Sequence, residues 1–272
     1  MRIFILFFLI FFAFADERIG LIRGQSLFLE LDKKDLIEVK TKDKKLSFFT
    51  HPKNKDKIVA LFTLPYKNPP KITQITAVYK DRSEIFMIDS LEGDYKSEKL
   101  QVEPKKLFPP KSVQSRIEQE LKEANAVYSS VTREVLFDGV FKIPMDSFIT
   151  SAFGKARVFN EKVASYHSGT DFRAAVGTPV RASNSGVVRI AKERYYAGNS
   201  VVIDHGYGIY SQYYHLSHIK VKIGQKVKKG DVIGLSGATG RVSGPHLHFG
   251  IFAAKNQVDP LDFIAKFNRL FQ

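Results

Sequence analysis

From about residue 139 onward the chain never runs far without a glycine. Short segments such as "TPVRASNSGVVRIAKE", "NSVVIDHGYGIYSQYYHLS" and "IKVKIGQKVKKGDVIGLSG" are cut by Gly177, Gly186, Gly206, Gly208, Gly224, Gly230, Gly234 and Gly237. Interruptions this frequent disfavour long helices and mark turns or bulges between short strands. Residues 139–272 therefore read as an antiparallel β domain. "VKIGQKVKKGDVIG" reads as a tight hairpin within it. A closing helix is expected after Asp259-Pro260, with Asp259 as N-cap and the proline in the first turn.

Residues 16–103 have a related texture. "SLFLELDKKDLIEVKTKDKKLSFFTH" alternates apolar and polar residues in places. "KIVALFTL", "KITQITAVYK" and "SEIFMIDS" are short β-branched runs split by "PYKNPP" and "KDRS". Strands at roughly ten-residue spacing predict a sandwich-like β domain. Its one histidine, His51, precedes Pro52 in a lysine-rich loop and reads as a solvated turn residue. Residues 104–138 connect the two halves. "QVEPKKLFPPK" holds three prolines and reads as an extended linker. An amphipathic helix follows it, with Ile117, Leu121, Ala124 and Tyr128 at helical spacing. The fold class is mainly β, with two domains and one connecting helix.

The first fifteen residues stand apart. One arginine precedes an apolar run from Ile3 to Phe12, and Ala13-Phe14-Ala15 offers small residues at a cleavage point. The run falls short of the roughly 20 residues a membrane span needs. It reads as a secretory signal over 1–15, leaving a product with no stable membrane insertion. There is no cysteine. That excludes a thiol nucleophile and thiolate metal ligands. Net charge is +14, and residues 138–272 hold 18 basic against 9 acidic residues. A basic exported protein is drawn to anionic envelope polymers, lipid headgroups or nucleic acid. No nucleic-acid module pattern appears, so nucleic acid is not an expected partner.

Five of the seven histidines are candidates for chemistry. "YHSGTDF" sets His167 and Asp171 at even spacing, on one face of a strand. "YYHLSHI" carries His215 and His218. "GPHLHF" carries His246 and His248, whose rings can share a cavity while Leu247 packs behind. Zinc accepts imidazole nitrogen and carboxylate oxygen, and a catalytic site takes three protein ligands. Further histidines suit proton transfer near neutral pH. A lone His-x-His is a weak signal, and spacing does not say which histidine of the pair would be a ligand. His205, in "IDHGYG", reads as a structural turn residue that bonds backbone, and His218 as a supporting or exposed residue.

"HSGTDFRAAVGTPVRASNSGVV", "GNSVVIDHGYGIYSQYYHLSHIKVKIGQKVKKGDVIGLSGATGRVSGPHLHFGI" and the later "VDP" resemble the lysostaphin-type (LytM-like) zinc metallopeptidases over residues 139–262. The resemblance implies one zinc ion held by His167, Asp171 and His248. It gives His215 and His246 to catalysis, orienting or deprotonating water and steadying the oxyanion. It implies peptidoglycan as substrate. The chain would be a periplasmic D,D-endopeptidase on D-Ala–diaminopimelate cross-links, or a D,D-carboxypeptidase on pentapeptide stems. One alternative is a non-catalytic relative that activates another wall hydrolase; the complete set of five residues speaks against it. A biotinyl- or lipoyl-type carrier hairpin is another, but "SGATGR" lacks a lysine at the tip. The upstream domain is also placed to restrain the active site.

Overall fold

The computed structural model describes residues 17–100, 109–159 and 162–272. The expected leader over 1–15 and most of the proline-rich linker lie outside the described residues.

Eight strands come first: β1 (Glu17–Ile22), β2 (Ser26–Asp32), β3 (Leu36–Thr41), β4 (Phe48–Thr50), β5 (Lys57–Thr63), β6 (Ile72–Tyr79), β7 (Ser83–Leu91) and β8 (Ser97–Leu100). The first seven build a sheet in the order β1-β7-β6-β3 and a second in the order β2-β5-β4. Leu29, Leu31, Ile58, Ala60 and Phe62 meet Val39, Ile75, Ala77 and Ile88 in one apolar cluster. This is the expected sandwich. Strand β5 shows why "IVALF" is continuously apolar. Its side chains alternate between faces, and both faces are covered. Val59 and Leu61 point away from the sandwich into a second core.

That second core belongs mostly to the glycine-rich half. Its strands are β9 (Ile149–Ser151), β10 (Ala156–Phe159), β11 (Lys162–Tyr166), β12 (Thr170–Arg173), β13 (Pro179–Arg181) and β14 (Gly186–Arg194). They continue as β15 (Gly198–Asp204), β16 (Ile209–Ile219), β17 (Lys226–Val227), β18 (Val232–Ser236), β19 (His246–Ala253) and β20 (Asn256–Val258). The main sheet runs β17-β14-β15-β16-β19-β12-β9. Its core face carries Phe172, Tyr213, Leu247, Phe249 and Ile251. The expected hairpin at 221–234 takes a different form. Strand β17 pairs with β14, while β18 pairs with β13 and β16. The Lys228–Asp231 turn is made, with Asp231 N–H donating to Lys228 O, but it joins strands with different partners.

Among the described residues, two helices complete the structure. Helix α1 (Lys111–Ser129) starts directly after Pro110. Ala124 and Tyr128 are buried, whereas Leu121, expected on the same face, is 59% exposed. Polar contacts dock the helix: Arg116 pairs with Glu193, Glu123 with Lys192, and the Glu120 carboxylate accepts from Tyr195 N–H. With the helix docked this way, Leu121 faces solvent. Helix α2 (Pro260–Arg269) begins as expected, the Asp259 carboxylate accepting from Leu261 and Asp262 N–H. Among the described residues, no helix is long and apolar enough to cross a membrane.

The two halves share material. Strand β8 pairs in parallel with β10. Phe28 meets Phe263 and Phe267 of α2 edge-on. Phe49 sits 5.4 Å from the Phe137 ring, 5.6 Å from Tyr207 and 6.3 Å from Phe267. It is 2% exposed. Truncating a buried phenylalanine costs about 3–5 kcal/mol. Phe49→Ala is expected to lower urea-unfolding stability by that amount, and to weaken the C-terminal core as well as the sandwich. Tyrosine fluorescence and far-UV circular dichroism, followed through the same titration, check this.

Candidate metal centre and active site

Strand β19 lies between β12 and β16, and the ladder on each side sets the site. Asp171 stands opposite His248 across β12–β19, and Tyr214 stands opposite His248 across β16–β19. Directly opposed residues share a face. Leu247 and Phe249 alternate to the other face and enter the core, both 0% exposed. The apolar neighbours thus fix the register that aims the polar ones. His167 arrives from the end of β11.

Three donor atoms converge. His167 Nε2 is 2.9 Å from Asp171 Oδ1, His248 Nδ1 is 2.8 Å from the same oxygen, and the two nitrogens are 3.0 Å apart. The other nitrogen of His167, Nδ1, lies 2.9 Å from Ala152 O and donates its proton there. A neutral His167 therefore turns a bare Nε2 lone pair toward a carboxylate oxygen. Such an arrangement calls for a proton or a cation between the two. Two imidazole nitrogens and one carboxylate oxygen form a set zinc accepts, with a fourth position left open. Tetrahedral zinc bonded at about 2.1 Å separates its donors by about 3.4 Å, so an opening of about 0.5 Å would admit it. The residues fit the ion. Burial opposes the charge on Asp171, yet hydrogen bonds with His167 and His248 hold its carboxyl well below the usual carboxylate range.

His246 and His215 stand beside these donors. His246 Nε2 is 3.8 Å from Asp171 Oδ1, and its Nδ1 donates to Gly244 O at 2.8 Å. The His215 and His246 rings are 4.9 Å apart. His215 Nδ1 donates to Thr239 O at 2.9 Å. Both rings therefore keep Nε2 as an acceptor. His215 reaches this face only through a bulge. Val201 pairs with Tyr213 and Asn199 with Leu216, so Ser200 alone opposes both Tyr214 and His215. A regular strand would put those two on opposite faces. The bulge brings both beside His248, and His215 takes φ of 65°. Burial, reinforced by His248 and His246 alongside, pushes the His215 pKa down to about 3. It is uncharged at neutral pH. Side-chain exposure rises from 1% at His167 to 17% at His246, so solvent reaches the cluster from the His246 side.

Residues 165–260 match the profile of "Peptidase family M23". That stretch contains all five residues of the cluster. Residues 165–260 form a peptidase family M23 domain. It is 47% identical over 124 residues to peptidoglycan DD-endopeptidase ShyA of Vibrio cholerae, a match covering 44% of this chain and 29% of that protein. It is 40% identical over 104 residues to lysostaphin of Staphylococcus simulans, covering 36% of this chain and 21% of that one. The matched segment thus spans under a third of these relatives. A crystal structure assigned to peptidase M23 from Pseudomonas aeruginosa aligns over 90% of this chain and 96% of its own, at 26% identity and a TM-score of 0.68.

The other histidines lie elsewhere. His218 is exposed at the end of β16. His205 is 0% exposed, with Nδ1 2.7 Å from Ser185 O and Nε2 2.7 Å from Ser211 Oγ. His51 departs from expectation. Its ring is only 10% exposed, and Nδ1 accepts from Lys53 and Asn54 N–H. It caps its own turn instead of standing in solvent. Sequence reasoning missed Tyr214, whose ring stacks on His248 at 5.3 Å and 12°. The Arg194 guanidinium lies 4.8 Å over the same tyrosine. The doubled tyrosine of "YYHLS" was the available signal, but strand alternation alone hides it behind His215.

Gly169 has a packing role. A Cβ there would lie 2.5 Å from Phe249 O and 2.6 Å from His248 Nε2. Gly169→Ala is expected to displace the His248 ring and weaken zinc binding at least tenfold, with an unchanged far-UV spectrum. Chelator competition measures the affinity. His205 gives a pH prediction. Burial lowers its pKa from 6.5 to about 4. Between those values the unfolded chain binds the extra proton, so stability falls as pH drops through that window and is fully retained above it. The loss is on the order of 3 kcal/mol. Urea titrations from pH 7.5 to 4 should show this slope, and His205→Gln should flatten it from a lower starting stability.

Proposed function

We propose that the chain is an exported zinc metallopeptidase that hydrolyses peptidoglycan peptides. Its main activity is D,D-endopeptidase cleavage of D-Ala–diaminopimelate cross-links. D,D-carboxypeptidase trimming of pentapeptide stems is a second activity of the same site. The observation that carries this reading is the convergence of His167, Asp171 and His248 on one point, with His215 and His246 beside it. The 47% identity to a peptidoglycan DD-endopeptidase supports the substrate class. Peptidoglycan lies outside the cytoplasmic membrane, and the N-terminal signal over residues 1–15 is consistent with export to the periplasm.

In this reading His167 Nε2, Asp171 Oδ1 and His248 Nδ1 hold the metal. Zinc there supplies a Lewis acid that polarises the scissile carbonyl and lowers the pKa of water from about 16 towards 7. His215 and His246 do the proton work. Each keeps its proton on Nδ1 and donates it in a hydrogen bond to a backbone carbonyl, so Nε2 can take a proton from water and return it to the leaving amine. His215, held neutral by burial, is ready as a base without prior deprotonation. Asp171, held ionised, keeps its charge through the working pH range. Tyr214, flat against His248, keeps that ring from turning. The basic surface draws the enzyme to an anionic wall polymer.

Digestion of purified sacculi tests this. Zinc-loaded protein should convert cross-linked muropeptides to monomers and shorten pentapeptides, and a chelator should stop both. His167→Ala, Asp171→Ala and His248→Ala should abolish turnover together with zinc binding. His215→Ala and His246→Ala should keep zinc and lose about 10²–10⁴-fold in kcat. Unchanged muropeptides, in an assay where a known hydrolase works, reject the enzyme reading. A cellular role that survives His248→Ala would instead favour a non-catalytic regulator.

A further inference from the structure

We propose that Tyr66, from the N-terminal half, is a positioning residue for His167, so that this half is a working part of the metal site. The inference rests on reading His167 as a zinc ligand. Tyr66 follows β5 and is 8% exposed. Its hydroxyl donates to Gly154 O at 2.6 Å. Gly154 N–H in turn donates to His167 O at 2.8 Å, and Lys155 O accepts from His167 N–H at 2.9 Å. Ala152 O, two residues before Gly154, takes the ring proton of His167. One short turn, 152–155, therefore holds His167 by its backbone on both sides and by its imidazole. Tyr66 also grips the histidine from its other neighbour. Its ring stacks on Tyr166 at 4.0 Å and 15°, and Tyr166 directly precedes His167.

The fit at this joint is close enough to transmit position. Gly154 has φ of 82°, and a Cβ there would lie 2.2 Å from Tyr95. Gly24 has φ of 81°, and its Cβ would lie 2.5 Å from Phe153. Tyr95 and Gly24 belong to the N-terminal half, and Phe153 and Gly154 to the turn. The Arg23 guanidinium closes the cluster 4.8 Å over the Tyr66 ring. No side chain larger than hydrogen fits at either glycine, so the turn has little room to shift while Tyr66 and Tyr95 are in place. The turn fixes the tautomer of His167 and the direction of Nε2. Groups that orient a ligand in this way typically alter metal affinity by about 10–100-fold when removed.

The test separates positioning from mere attachment. Zinc affinity of the full chain is measured by competition with a chromophoric chelator, alongside the melting temperature. Tyr66→Phe, which keeps the stack and loses the hydroxyl, should bind zinc about tenfold more weakly, and Tyr66→Ala about 100-fold. Thr63→Val is the control. It removes another contact between the halves, Thr63 Oγ1 to Ala253 O at 3.2 Å, away from His167. It should lower the melting temperature and leave zinc affinity within twofold. If Tyr66→Ala does not fold, Tyr66→Phe decides. The inference is overturned if Tyr66→Phe binds zinc within twofold of the unaltered chain, or if Thr63→Val weakens zinc equally. An unaltered chain whose zinc binding does not depend on His248 would overturn the functional reading itself, and this inference with it.

Discussion

The candidate site depends on the register of β19 between its two neighbours. One ladder puts His248 opposite Asp171, and the other puts it opposite Tyr214. A slip of one residue would send His248 into the core and bring Leu247 to the polar side. Burying two histidines while exposing Leu247 and Phe249 would be strongly unfavourable. The apolar face thus specifies the polar one. That coupling lets a site of uncompromisingly polar residues sit on a well-packed sheet.

Backbone carbonyls do much of the remaining work. Ala152 O, Thr239 O and Gly244 O each take the Nδ1 proton of a different histidine. Each assigns a tautomer and leaves Nε2 free as an acceptor. His248 works the other way, turning Nδ1 inward. The carbonyls come from three separate turns, so the protonation pattern of the cluster is written in loop conformation. Substituting the carbonyl-bearing residues leaves it intact, whereas moving their backbone does not.

Much of this was legible in the sequence. Glycine spacing gave a β domain, Asp259-Pro260 gave the start of α2, and even spacing put His246 and His248 on one face with Leu247 behind. The proposed division of labour among the histidines comes from the family resemblance and not from spacing. Other features were out of reach for identifiable reasons. Periodicity describes one strand at a time, so it does not reveal that β5 feeds two cores or that Phe49 belongs to the second. Leu121 shares the helical spacing of Ala124 and Tyr128 but faces solvent, and helical spacing alone does not say which neighbour a face will meet. The bulge at Tyr214–His215 breaks the count on which strand reasoning relies. Tyr66 lies about 100 residues from His167, and only the folded joint connects them.

The backbone of His215 carries a consequence for descent. A histidine held at φ of 65° sits where glycine or asparagine is more comfortable. Such a conformation costs on the order of 1–3 kcal/mol. Replacing it with glycine would relieve that strain and leave the ladder intact. Selection for chemistry and selection for a durable fold therefore pull in opposite directions at this one position. Were the chemistry at this site no longer under selection, substitution at His215 would be favoured by release of that backbone strain. The loss would leave the three donors of the candidate metal site in place, with His246 as the remaining imidazole beside them.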